Sequence, residues 1–191
     1  VTKVALMINY MSVLCSSATI LLLFWTTRRI ISKFMSKKDS FIITLSAVVG
    51  SLAYTFSDSF WFSAVEGEVY AMSSFFTALV FWAIIKWEAE ANTNPKADRW
   101  LVFIAYLIGL SIGVHLLSLL VIPAIVLIYY FKRIHPKIED KTMSIVWFFI
   151  ANIVAVVLLG FIYHFIIPQF VNLAGKFDIS FVNKLHLPFH S

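Results

Sequence analysis

Three acidic residues lie close together in an otherwise apolar part of the chain. Asp58, Glu66 and Glu68 fall within the aromatic stretch 56–70, which contains no Lys or Arg, and they are three of the ten acids in the sequence. A carboxylate can act as a general base on an acceptor hydroxyl. A pair of carboxylates can instead hold a divalent cation that neutralises a phosphate leaving group. The stretch is therefore the first candidate site for chemistry.

The spacing of Glu66 and Glu68 allows two interpretations. In an extended segment, positions i and i+2 point to the same face, so both carboxylates could reach one divalent ion, and Gly67 would let the backbone bend around it. Alternatively, Ser63 and Glu66 form a capping box for a helix that begins at Ala64. In that helix the two carboxylates point about 200° apart and cannot chelate one ion. The cap explains Glu66 and leaves Glu68 unexplained.

Other side chains also have a structural and a functional interpretation. Asp58 either ends an apolar span in water or belongs to the site. Trp61 and its aromatic neighbours are typical of an interfacial aromatic belt, or form a stacking wall for a sugar or a prenyl chain. His115, in the apolar run 100–131, is either a hydrogen-bonded packing residue or a donor to a lipid-linked phosphate.

Composition indicates that these residues belong to a membrane protein. Hydrophobic residues make up 61% of the chain and charged residues 13%, and the mean hydropathy is +0.89. A soluble domain is nearer one half apolar and one quarter charged. The net charge of +5 comes from basic residues that punctuate apolar runs, which indicates membrane loops and no nucleic-acid partner. The chain starts at Val1, and we expect it to be a fragment of a longer protein.

Runs of about 20 apolar residues predict an all-α, polytopic transmembrane helix bundle in a single domain. The run 100–131 would be about 48 Å long as one helix, too long for one straight span, and Gly113 and His115 near its middle predict a hairpin of two short spans. We expect Pro168 to close the last span and an extracytoplasmic tail to follow at 168–191. The predicted spans number about six and cover residues 4–25, 41–57, 64–87, 100–112, 115–131 and 142–167.

The distribution of Lys and Arg predicts which loops face the cytoplasm. The loops 26–40, 86–99 and 132–141 carry twelve basic residues, whereas Lys3, Lys176 and Lys184 are left for the other side. Because short cytoplasmic loops are rich in Lys and Arg, this pattern favours the hairpin. It places the stretch 58–70, the turn 113–115 and the tail together on the extracytoplasmic side.

Three segments carry a resemblance to a known family: FWFSAVEGEVYAMSS at 60–74, FWAIIKWE at 81–88 and GLSIGVHLL at 109–117. They resemble a bacterial membrane family, common in Bacteroidetes and long labelled a domain of unknown function. That family is similar to the protein O-mannosyltransferases and the wider GT-C glycosyltransferases. The resemblance implies a GT-C-like enzyme of the bacterial inner membrane with its active face toward the periplasm. It implies transfer of a sugar such as mannose from a polyprenyl-phosphate donor to a protein hydroxyl, with membrane lipid, donor and protein acceptor as partners.

The resemblance also implies roles for individual residues. Glu66 and Glu68 would position the donor phosphate, directly or through a divalent metal. Asp58, Trp61 and Tyr70 would line the donor site, and His115 would contact the phosphate or the acceptor. The family's Asp-x-Gly-Glu-like and Gly-His-Pro-Pro runs are absent, so we expect the main catalytic Asp upstream and this 191-residue piece alone to be inactive.

Two other functions stay open from the sequence. A transporter or lipid flippase would need charged or broken helices near the bilayer midplane and an internal repeat. The sequence has no acid in the middle of a span and no clear repeat, which weighs against this function. A non-catalytic structural membrane bundle would use the acidic aromatic stretch as a docking surface.

Overall fold

A computed structural model describes residues 2–67 and 69–185, and these residues form helices and connecting turns with no strand. Shorter turns of 3-10 or π geometry join some of the helices, at Lys37–Asp39, Leu116–Leu120, Tyr130–Ile134, His135–Lys137 and Ile162–Ile166. The α-helices are α1 (Thr2–Ile31), α2 (Ser40–Thr55), α3 (Asp58–Val65), α4 (Val69–Glu90), α5 (Arg99–Ile112), α6 (Val121–Tyr129), α7 (Lys141–Phe161) and α8 (Ile167–Leu185). The predicted all-α membrane bundle is confirmed.

Four helical runs in the described part of the chain are long and apolar enough to cross a membrane: Lys3–Ile31, Val69–Glu90, Ser118–Lys137 and Lys141–Lys184. α2 and α3 reach that length only together, and they are bent by 66° at the break between them. α5 has 14 residues. Its length of about 21 Å is less than a hydrocarbon core of roughly 30 Å. The number of crossings and the side of each loop therefore stay predictions.

The chain divides into two compact units, Val1–Val121 and Ile122–Ser191. In the first unit α1 packs against α2, α3 and α4, and α5 packs against α4. The buried side chains of α1 include Ser12, Ser16 and Thr19, which recur at helical spacing. Small residues on one face let membrane helices approach closely. Most larger apolar side chains of α1 are exposed, as expected for a helix surrounded by lipid.

Polar contacts join the helices at the end of the first unit where α1 finishes, here called the Arg28 end. Arg28 Nε donates to Thr44 Oγ1 at 3.2 Å, which ties α1 to α2. Lys33 Nζ and Glu88 Oε2 are 2.6 Å apart and tie the segment after α1 to α4. The indole N–H of the buried Trp87 donates to Asp98 Oδ1 at 3.1 Å, just before α5.

In the second unit, the turn after α6 is joined to α7. The buried Tyr130 donates its hydroxyl to the carbonyl of Ser144 at 2.9 Å. Asp140 caps α7, because its carboxylate accepts from the backbone N–H groups of Thr142 and Met143. An N-terminal cap of this kind satisfies N–H groups that have no partner within the helix.

The helix does not end at Pro168, where the sequence predicts the last span to close. The π turn Ile162–Ile166 connects α7 to α8, and Pro168 is the second residue of α8. A π turn changes the hydrogen-bond register just before the proline, so the missing N–H is accommodated without ending the helix. α8 exposes apolar side chains at positions 170, 173, 177 and 181, and this spacing forms one amphipathic face.

Candidate functional site

The acidic aromatic stretch is mostly helical, and its helix starts earlier than the predicted capping box requires. α3 follows Ser57 and has Asp58 in its first turn, where a negative charge is favourable. Ser63 lies inside α3 and its Oγ donates to the carbonyl of Ser59 at 3.0 Å. Glu66 follows the last residue of α3, with φ −80° and ψ 138°. The capping box is therefore wrong, since the helix begins at Asp58 and Glu66 lies at its other end.

The break between α3 and α4 packs directly on the first part of α1. A Cβ added to Gly67 would lie 3.0 Å from both Asn9 Oδ1 and Ile8 Cγ2. Any larger residue at this position would push against α1, so glycine allows the close approach. Asn9 thus belongs to the site region, although sequence reasoning missed it. Its signal was an amide side chain within the apolar run 4–25.

Tyr70 and His115, two of the predicted site residues, contact each other. Their ring centroids are 5.5 Å apart, with 50° between the ring planes. Tyr70 lies in the first turn of α4, immediately after the break, and His115 lies in the turn after α5. The structure therefore brings the turn that carries His115 to the first turn of α4, just after the break at Gly67. We call this part of the first unit the Asn9 end.

Two serines hold the turn that carries His115. The backbone N–H of His115 donates to the carbonyl of Ser111 at 2.9 Å. The buried Ser118 Oγ lies 2.9 Å from the carbonyl oxygen of His115 and 2.8 Å from Ser111 Oγ. α5 ends at Ile112, where the sequence predicts a turn, and these bonds fix the backbone that follows. Ser118 is a second positioning residue that sequence reasoning missed.

Asp58 is the first residue of α3 and Trp61 lies three residues later, whereas Glu66 follows the last residue of the helix. The Trp61 ring stacks on Phe56 with centroids 6.4 Å apart and is about half exposed. Phe60, buried beside it, contacts Tyr54 with centroids 4.7 Å apart. Asp58 is exposed and lies about 12 Å along the helix axis from Glu66. The structure therefore does not bring Asp58 beside Glu66.

Trp61 also borders a small cavity of about 190 Å³ between α3 and the middle of α1. Its lining is mainly apolar and includes Val13, Ile20, Phe60, Ala64 and Val65. The aromatic wall predicted for a sugar or a prenyl chain thus faces an apolar groove, which fits a prenyl chain better than a sugar.

The predicted divalent metal site depends on a residue that the structure does not describe. Among residues 2–67 and 69–185, no group of three or more His, Cys, Asp or Glu side chains could hold a metal ion. Glu68 lies outside the described residues, so the pair Glu66 and Glu68 stays a prediction. Glu66 itself is exposed and has an extended backbone, which is the conformation that the metal interpretation requires.

A comparison with protein families gives a match. The family model described as "Protein O-mannosyl-transferase TMEM260 N-terminal domain" matches residues 1–138. That range covers the whole first unit and every predicted site residue. Comparisons with curated proteins and with solved structures give no match.

Proposed function

Since the chain belongs to the family of the protein O-mannosyl-transferase TMEM260 N-terminal domain, we propose that it forms part of a GT-C-type membrane glycosyltransferase. The proposed reaction moves a sugar from a polyprenyl-phosphate donor to a protein hydroxyl. Mannose is the proposed sugar because the family description names a mannosyl-transferase. The proposed active face is the periplasmic face of a bacterial inner membrane, and the distribution of basic residues supports an extracytoplasmic position for the Asn9 end.

The contact between Tyr70 and His115 beside the break 66–68 is the observation that carries this proposal. It places an imidazole and a phenol next to the segment that contains Glu66. In an inverting transfer, the acceptor oxygen bonds to the sugar carbon as the bond from that carbon to the phosphate oxygen breaks. The polyprenyl phosphate leaves with the bonding electrons, and the acceptor proton passes to a carboxylate base, which we expect upstream of this chain.

The residues at the Asn9 end would act on the leaving phosphate. His115 would donate an N–H to a phosphate oxygen, and such a donor stabilises the charge that develops on the leaving group. Glu66 and Glu68 would hold a divalent cation, which when bound would neutralise the phosphate charge. Tyr70 would position the His115 ring and line the donor site. Trp61 would line the apolar groove beside α3, where a prenyl chain would lie.

A transporter or lipid flippase is the second candidate, because one observation favours it. α2 and α3 form a bent pair of helices, and Asp58 is the first residue after the break. Broken spans with charged residues are typical of transporter binding sites. In the transferase interpretation the same bend lays α3 along α1 and brings Gly67 against Asn9.

The test uses the intact protein in proteoliposomes with polyprenyl-phosphate mannose and a peptide acceptor that contains Ser and Thr. We expect mannosylated peptide in the wild type and about a hundredfold lower turnover for His115→Ala, the usual scale for loss of a catalytic hydrogen-bond donor. His164→Ala is the matched control, because it removes the same side chain from the second unit, and we expect wild-type turnover. Equal turnover of His115→Ala and wild type would remove His115 from the mechanism.

The same proteoliposomes separate the two candidate functions. A flippase would move a fluorescent polyprenyl-phosphate sugar between leaflets without forming glycopeptide. That result for the wild-type protein would replace the transferase proposal with the transporter one.

A further inference from the structure

A basic cavity lies at the Arg28 end of the first unit, away from the residues assigned to sugar transfer. Its volume is about 580 Å³, and it lies between the last turns of α1 and α4. Along α1, Asn9 and Arg28 are about 28 Å apart, close to the thickness of a hydrocarbon core. The cavity and the proposed transfer site therefore lie near opposite surfaces of the membrane.

The charges that line this cavity favour an anion. Three basic side chains line it, those of Arg28, Arg29 and Lys86, against one acid, Glu90. Glu90 already accepts a hydrogen bond from Asn94 Nδ2 at 3.0 Å. The excess of basic groups is the type of charge that binds a phosphate.

Two tryptophans indicate that the anion belongs to a lipid. Trp25 and Trp82 both line the cavity, and their ring centroids are 6.5 Å apart. Lys86 Nζ lies 5.4 Å from the centroid of the Trp82 ring. Tryptophan is enriched at the level of lipid headgroups, and basic residues beside a transmembrane helix attract anionic lipid. The cavity thus combines the two features at the depth where a headgroup phosphate lies.

A second cavity provides room for a lipid chain. It has a volume of about 670 Å³ and shares Thr26 with the basic cavity. Leu23, Ile30 and Phe81 give its lining an apolar surface. The Oγ1 of Thr26 is buried and, within the described part of the chain, has no hydrogen-bond partner. This hydroxyl faces protein atoms, so the shared Thr26 marks only the place where the two cavities adjoin.

We propose that these two cavities bind one anionic phospholipid, with its phosphate among Arg28, Arg29 and Lys86 and an acyl chain beside Leu23 and Phe81. This site is separate from the proposed transferase site and does not depend on its chemistry. The lipid would fill the space between α1 and α4 and hold the ends of these two helices together.

The test measures lipid retention by native mass spectrometry of the purified intact protein with phosphatidylglycerol or phosphatidylcholine. We expect the wild type to bind phosphatidylglycerol about tenfold more tightly than phosphatidylcholine, given the attraction of basic residues for anionic lipid. The triple variant Arg28→Gln/Arg29→Gln/Lys86→Gln should lose that preference. The matched control Lys38→Gln/Lys96→Gln/Arg99→Gln removes the same charge outside the cavity and should keep it.

A second variant separates the cavity from its charge. Ala89 lines the basic cavity, and Ala89→Phe fills space there while every charge stays. We expect Ala89→Phe to lose the phosphatidylglycerol preference too. If the triple variant fails to insert into the membrane, the result for Ala89→Phe tests the proposal. The proposal is overturned if Ala89→Phe binds lipid like wild type, or if the control triple variant loses the preference equally. It is also overturned if millimolar inorganic phosphate displaces the lipid, because the site would then accept free phosphate.

Discussion

The acids of the stretch 58–70 are not equivalent at the scale of single residues. Asp58 lies in the first turn of α3, where its charge favours the helix start. Glu66 follows the last turn in an extended conformation and precedes Gly67, which packs on α1. Only Glu66, and Glu68 by its position in the sequence, border the segment that leads to Tyr70. We therefore expect the carboxylates to differ in their effect on sugar transfer.

The first prediction compares these three acids in the intact protein. We expect Glu66→Gln and Glu68→Gln each to lower turnover by about tenfold or more, because each would lose a ligand to the cation that neutralises the leaving phosphate. Asp58→Asn should have a much smaller effect, since Asp58 lies about 12 Å along α3 from Glu66. The measurement is the rate of glycopeptide formation at saturating donor.

Metal removal extends this test. EDTA should abolish transfer, and added Mg²⁺ or Mn²⁺ should restore it in the wild type but not in Glu68→Gln. Full activity in EDTA would exclude the metal role of the pair, and an Asp58→Asn defect as large as that of Glu68→Gln would contradict the ranking.

At the scale of elements, the break between α3 and α4 depends on contact with α1. The missing side chain of Gly67 lets the backbone lie against Ile8 and Asn9, and α4 starts two residues later with Val69. Tyr70, in the first turn of α4, then meets His115. One close backbone contact thus sets the position of the α4 start and, through it, the aromatic contact at the Asn9 end.

The second prediction is that Gly67→Val displaces this break. Its Cβ would lie 3.0 Å from Asn9 Oδ1 and Ile8 Cγ2, so these side chains must give by a few tenths of an ångström or the break must move. We expect a loss of about 1–3 kcal/mol in unfolding free energy, the usual cost of overpacking, measured by denaturant unfolding in detergent micelles. Gly50→Ala is the control, because an added Cβ there meets no atom within 4 Å and alanine favours helix.

Truncation of the opposing side chains should relieve the clash. We expect Gly67→Val to lower the unfolding free energy by less in the Ile8→Ala/Asn9→Ala background than in the wild type. An equal loss of unfolding free energy in both backgrounds would show that the break does not pack on α1 in solution.

The third prediction concerns the turn after α5. Ser118→Ala removes the buried hydroxyl that bridges the His115 carbonyl and Ser111 Oγ. We expect a loss of about 1 kcal/mol in stability, and a lower turnover, because the turn that carries His115 is less well held. Ser32→Ala is the control, since the exposed Ser32 Oγ donates to the carbonyl of Arg29 at the Arg28 end, away from the proposed transfer site. A stable Ser118→Ala variant with wild-type turnover would show that the serine pair does not position His115.

At the scale of the whole molecule, the sequence predicts the helical membrane class well, because class depends on the length of apolar runs. It predicts local starts and ends less well. The sequence predicts a cap at Ser63, but the helix begins directly after Ser57, where Phe60 is buried against Tyr54. The contact between Tyr70 and His115 joins residues 45 positions apart. No local pattern encodes such a contact, because it depends on how α4 and α5 pack.

The last prediction concerns the side of the membrane on which residues 132–141 lie. α5 is about 21 Å long, which is short for a crossing. The four basic residues of the loop 132–141 favour a cytoplasmic position, and the loop reaches the cytoplasm only if α5 crosses the membrane. Local thinning of the bilayer can accommodate a short span at modest cost, so we expect α5 to cross. In a Cys15→Ala background, a membrane-impermeant maleimide should label Ser36→Cys and Lys137→Cys only after cells are permeabilised, and should label Lys176→Cys in intact cells. Labelling of Lys137→Cys in intact cells, with Lys176→Cys protected, would instead show that α5 enters and leaves on one side and that five helices cross.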